Sequence, residues 1–172
     1  MPRMPTSEQL AAFQRNLYEQ INACIQGEPG WWVQGVLPSE DEVGFCYKIG
    51  LQENFGSPEL LMMGFDPRLM HNLVNGTASL VKEGTRFEDW SRSDKVIANY
   101  DVAMREVPLI EAQEWARMAS TRADPHAFQL LQVFLPDPEG LFPWEDGVLP
   151  KYREVQGHLM HAMDFSTRPS FN

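Results

Sequence analysis

Apolar residues recur at helical spacing through Leu10, Phe13, Leu17, Ile21, Cys24 and Ile25, the pattern of an amphipathic helix. Thr6 and Gln9 precede that stripe three residues apart and form a capping box. Gly27, Pro29 and Gly30 end it. A helix is expected over residues 7–26, with Gln14, Arg15, Glu19 and Gln20 on its wet side. The pattern then changes period. Trp31 to Leu37 is rich in aromatic and β-branched residues, and Gly44 to Leu51 alternates, with Phe45, Tyr47, Ile49 and Leu51 on one side and Cys46, Lys48 and Gly50 on the other. Two such runs joined by the polar residues 38–42 predict an antiparallel hairpin whose first-named side faces the core.

Leu60 to Phe65 is a short apolar run of strand length. Asp66 and Pro67 open a second helix as N-cap and first residue, Leu69, Met70, Leu73, Val74, Leu80 and Val81 form its stripe, and Gly84 closes it. Residues 85–99 show no period. Tyr100, Val102 and Met104 alternate with polar neighbours as a half-buried strand, residues 109–118 form a short helix, and Phe128 to Leu135 is a strong strand signal. Residues 136–140 have turn composition, Leu141-Phe142-Pro143-Trp144 should pack down, residues 150–163 are helical, and Ser166 to Asn172 should fray. These elements predict an α+β fold: one domain with a mainly antiparallel sheet of about five strands, packed by three or four helices. A helical segment 1–29 precedes a core of residues 30–147, and a partly helical extension 148–172 follows it.

At 172 residues the chain is about one domain long. Lys and Arg number 14 against 24 Asp and Glu, a net charge of −10. That balance argues against binding nucleic acid or an anionic membrane, both of which need clustered Lys and Arg. The charge is uneven. Residues 31–66 hold six acids against Lys48 alone, whereas residues 67–126 are close to neutral. The stretch 38–66 is a solvated acidic face or a docking surface for a basic partner. Cys24 and Cys46 have no metal or redox spacing, and Met1-Pro2-Arg3-Met4-Pro5 has no apolar core of a signal peptide. The expectation is two free thiols and a cytoplasmic location.

Several pieces together carry a resemblance: Trp32-Val33-Gln34-Gly35-Val36, Gly44-Phe45-Cys46-Tyr47-Lys48-Ile49-Gly50-Leu51, Asn54-Phe55-Gly56-Ser57-Pro58-Glu59-Leu60, Phe128-Gln129-Leu130-Leu131-Gln132-Val133, and Pro136-Asp137 followed by Gly140-Leu141-Phe142-Pro143-Trp144. In this order, over about residues 30–147, the chain resembles a bacterial family known as domain of unknown function forty-two sixty-two. The resemblance implies a fold and no mechanism. Ser57 departs from it, since the family often has His before Pro-Glu, and an activity resting on that His would be lost here.

No G-x-G-x-x-G, Walker A, G-x-S-x-G, H-E-x-x-H or C-x-x-C run is present, so the sequence calls for no cofactor. His158 and His161 are a weak metal-ligand pair at helical spacing, more simply read as surface residues. His71 and His126 have no nucleophile tied to them and read as structural or surface residues. Tyr47, Glu59 and Gln132 are polar groups in apolar surroundings, each either held by a structural hydrogen bond or lining a pocket. Trp144 either plugs the core or walls a cavity. The leading reading is a non-catalytic binding or interaction module of accessory or immunity type, which meets a basic protein surface or a small molecule. The alternative is a small hydrolase with a pocket around Tyr47, Glu59 and Gln132.

Overall fold

The computed structural model describes residues 1–168. Helix α1, Ser7–Gln26, starts on the capping box read from the sequence, with Thr6 accepting from the Gln9 backbone and the Gln9 side chain accepting from Thr6. Strands β1, Trp32–Val36, and β2, Phe45–Ile49, form the expected antiparallel hairpin. A short helix α2, Leu51–Phe55, leads to strand β3, Glu59–Met63, and to helix α3, Pro67–Lys82, capped by Asp66. A second hairpin follows in β4, Arg92–Ile97, and β5, Tyr100–Glu106. Helices α4, Leu109–Trp115, and α5, Arg117–Ser120, precede strand β6, Leu130–Phe134. Helix α6, Pro150–Gln156, then tightens into a 3-10 helix over Gly157–Ala162. Of the residues expected to fray, 166–168 follow in a turn and 169–172 lie outside the described residues.

The fold is α+β, with six strands rather than about five, in the order β1-β2-β3-β6-β5-β4. The added strand is β4, from the stretch without a period. Its sequence Arg-Ser-Asp-Lys-Val-Ile is polar because it is an exposed edge strand, where charge discourages pairing with another chain. All pairs are antiparallel except β3 with β6.

Helices cover both faces of the sheet. One face carries Cys46, Leu60, Met62, Val102, Met104, Leu131 and Val133 beneath Met70, Val74, Ala78 and Val81 of α3. The other carries Tyr47, Ile49, Leu61, Met63, Ala103, Leu130 and Phe134 against α1, α4, α5 and the 3-10 helix. The alternation read along Gly44–Leu51 therefore separates two buried faces, not inside from outside. Ile49 is buried as expected and Phe45 is half-buried. Leu51 is buried on the opposite side, in the cluster under α3. The reason is Gly50, whose φ of 116° turns the chain into α2 before the alternation reaches Leu51.

Lys48, the polar member of that alternation, is fully buried. Its ammonium donates to Asn75 Oδ1 and lies 4.8 Å from the centre of the Trp31 ring, and the Trp31 indole N–H donates to the same Asn75 oxygen. Cys24 and Cys46 are both free, and no helix among the described residues is long and apolar enough to cross a membrane.

Burial pushes the Lys48 pKa down to about 7, against the pull of Cys46 and Glu59. The unfolded chain then holds more protons than the folded one above pH 7, so stability rises with pH there. The Glu59 carboxyl, lifted by burial to about 7, opposes this near pH 7, where its folded form holds protons that the unfolded chain has lost, and the Cys46 thiol, pushed by burial up to about 11, opposes it above about pH 9. The melting temperature is expected to rise between pH 7 and 9, and Lys48→Met to flatten that rise while remaining as stable as the parent at pH 7. A pH series of thermal melts on both proteins measures it.

Candidate functional site

The four residues singled out in the sequence occupy different places. Tyr47, Leu61, Gln132 and Arg105 face one another in register across β2, β3, β6 and β5. Tyr47 and Gln132 thus share a face but stand two strand spacings apart, about 10 Å. The Tyr47 hydroxyl accepts from the Met118 N–H at 3.4 Å and so ties α5 to the sheet; burial raises its pKa. The Gln132 amide donates to the Gln156 carbonyl at 2.9 Å, while its Oε1 is buried and without a partner among the described residues. Gln156, which the sequence reading passed over, exchanges two hydrogen bonds with the Leu135 backbone and locks α6 to the end of β6.

Glu59 is 3% exposed. Its Oε1 accepts from the N–H groups of Gly50 at 2.9 Å and Gln52 at 3.1 Å, and its Oε2 from Leu51 at 3.2 Å. A Cβ at Gly50 would stand 2.8 Å from the Gly30 carbonyl, so only glycine lets this turn close. Burial lifts the Glu59 pKa to about 7 against the opposing pull of the three amides and of Lys48. The side chain borders a cavity of about 260 Å³ with Ile49, Gln52, Arg122, Asp124 and Phe128. An ion pair between Arg122 and Glu53, 3.2 Å long, borders the same space.

Trp144 is half-buried and sits in an aromatic group. It stacks on Phe142 at 5.2 Å and meets Phe134 and Trp90 edge-on at 5.1 and 5.7 Å. Asp137 holds the preceding turn: its carboxylate accepts from the N–H groups of Glu139, Leu141 and Leu149. Glu59 is the only one of the four that borders a main cavity, so the structure does not gather them into one pocket. His158 and His161 are exposed on the 3-10 helix, and no group of three or more His, Cys, Asp or Glu among the described residues is placed to hold a metal. His71 and His126 are exposed. Ser57 is buried and its hydroxyl donates to the Pro58 carbonyl at 3.2 Å; it borders a second cavity of about 260 Å³ with Arg86, Glu88, Asp89 and Glu106.

The concave site with the clearest chemistry lies elsewhere. Asp41, Glu42 and Val43 from the β1–β2 loop, Phe45, Glu114 and Trp115 from α4, and His158 line an open groove of about 350 Å³. Its floor is the Phe45–Trp115 pair, with ring centres 4.9 Å apart and both rings half-buried. Asp41, Glu42 and Glu114 are exposed and belong to none of the ion pairs among the described residues. Lys48, the one base of the acidic stretch, points into the core and offsets none of this surface charge. The acidic stretch was legible from composition; the contribution of α4 was not, because Glu114 and Trp115 lie about seventy residues from the loop they meet.

Replacing Glu59 by Ala removes the acceptor of three N–H groups at the start of α2, those of Gly50 and Leu51 buried and that of Gln52 half-buried. Since each lost bond to a charged group costs about 1.5–3 kcal/mol, Glu59→Ala should lose at least ~3 kcal/mol in urea unfolding at pH 8, where the carboxylate is ionised.

No curated protein and no solved structure matches the chain. The model of one protein family, described as Domain of unknown function (DUF4262), matches residues 27–149, which is more than half of the sequence and contains all six strands. The chain belongs to that family, Domain of unknown function (DUF4262).

Proposed function

We propose that this protein is a non-catalytic binding module of accessory or immunity type, whose groove takes a Lys or Arg side chain from a basic segment of a protein partner. One observation carries the reading: three carboxylates that join no ion pair among the described residues, Asp41, Glu42 and Glu114, stand around the half-exposed Phe45–Trp115 pair. An aromatic face attracts a cation by about 0.5–1 kcal/mol at an exposed site. The surrounding carboxylates add charge-assisted hydrogen bonds and steer a basic segment toward the groove. The net charge of −10 acts in the same direction at longer range.

A small hydrolase is the second reading. It is favoured by Glu59, whose pKa is pushed up to about 7 beside a cavity, the property of a general acid or base. Against it, the carboxylate oxygens are engaged by three backbone amides, and neither Tyr47 nor Gln132 borders that cavity.

The test is a fluorescence or calorimetric titration with a Lys- and Arg-rich peptide. Binding should weaken as salt rises, because surface charges are screened beyond ~10 Å at 0.1 M. Glu42→Gln with Glu114→Gln should weaken it about tenfold, the sum of two exposed ion pairs of ~0.7 kcal/mol each. Equal binding by the parent and the double variant overturns the proposal.

A further inference from the structure

The cation most completely enclosed by this fold's aromatic residues is Arg105, on β5. Its side chain is 1% exposed. Nε donates to Asp89 Oδ1 at 2.8 Å, and Nη2 donates to the main-chain carbonyl of Asp164. The guanidinium lies 3.6 Å from the centre of the Trp90 ring and 4.4 Å from that of Phe165. Nη1 is equally buried and has no acceptor among the described residues. The cross-strand neighbour of Arg105 is Gln132, whose Oε1 is buried without a donor among the described residues. Buried polar groups are rarely left unpaired, so a stranded donor and a stranded acceptor on adjacent positions ask for an explanation.

The covering segment supplies part of one. Residues 164–168 have no regular secondary structure and, Phe165 apart, are exposed. They give the arginine one carbonyl and one ring, and Thr167 accepts from the Trp90 indole N–H at 3.2 Å. Beneath them Trp90 is held at a φ of 70°, a conformation that bulky residues rarely adopt, by hydrogen bonding of its N–H to the Met104 carbonyl. Phe165 itself meets Trp90 edge-on at 5.9 Å and Trp144 at 6.1 Å. The place it fills is thus bounded by a guanidinium face and two indoles. A carboxylate would satisfy Arg105 better than a single carbonyl does, because it accepts from both terminal nitrogens at once.

We propose that residues 164–167 form a displaceable strap over a binding site for a small aromatic acid. The ligand's carboxylate takes Nη1 and Nη2 of Arg105, its ring replaces that of Phe165 against Trp90 and Trp144, and a hydroxyl or amine beside the carboxylate donates to Gln132 Oε1. The strap competes in cis, so the apparent affinity is the intrinsic affinity reduced by the fraction of molecules with the strap lifted. The site is separate from the groove at Asp41, Glu42 and Glu114 and stands or falls independently of it.

The probe is 3-phenyllactate, followed by tryptophan fluorescence and by hydrogen exchange across residues 164–168. Binding should raise exchange in the strap, and lactate, which lacks the ring, should bind far more weakly. Phe165→Ala should bind phenyllactate about tenfold more tightly than the parent, as expected when a strap open in about one molecule in ten is released. Arg105→Lys should lose that gain in the Phe165→Ala background. Should Arg105→Lys fail to fold, the Phe165→Ala comparison and the exchange data decide alone. The proposal is overturned if the Phe165→Ala protein shows no response to phenyllactate at about 10 mM, tenfold above a weak millimolar Kd. It is overturned equally if lactate binds as well as phenyllactate.

Discussion

The parallel pairing of β3 with β6 sets most of the architecture. It joins Glu59 to Leu130, positions separated by more than half of the family match, and it places two strands at the centre of the sheet with every residue buried. A parallel pair cannot be closed by a tight turn, so the intervening chain must cross over. Here the crossover carries α3 over one face, lays the β4–β5 hairpin along the far edge, and returns through α4 and α5 on the other face. Both faces are then roofed, and every polar side chain on the central strands is committed to the interior.

That commitment explains the polar residues. Lys48, Glu59, Arg105 and Gln132 are all buried because their strands are buried on both sides, and each has partners that hold elements together. Glu59 ties the turn into α2 to β3, Lys48 ties β2 to α3 through Asn75, and Gln132 ties β6 to α6. A buried charge costs free energy unless paired, so these contacts specify which elements meet more than they add to stability. Arg105 and Gln132 are where the satisfaction is incomplete, and the incompleteness is local to the segment that closes the chain over the sheet.

The surface obeys a different logic. With Lys48 and Glu59 turned inward, the acidic stretch keeps Glu40, Asp41 and Glu42 on the β1–β2 loop, where no base of the chain meets Asp41 or Glu42 among the described residues. Glu114 joins them from α4 over the Phe45–Trp115 floor. A concentration of like charge beside exposed aromatic surface is unfavourable to the isolated fold and favourable to a cationic visitor.

Most local elements and the net charge of −10 follow from residue order and composition alone. The capping box at Thr6 and Gln9, the N-cap at Asp66 and the antiparallel β1–β2 hairpin were legible because each rests on contacts within a few residues or on a simple period. The edge strand at Arg92–Ile97 was not, because an exposed edge needs no apolar side and leaves no period to read. Tertiary structure alone decided that both sheet faces are roofed, that Lys48 faces inward and that Leu51 crosses to the other core. It alone decided that Tyr47, Glu59, Gln132 and Trp144 serve four separate contacts, whereas Arg105, Trp90 and Phe165 meet. Alternation along a strand reports only that successive side chains point opposite ways. What waits on each side is set by chain segments tens of residues away, whose arrival no local pattern encodes.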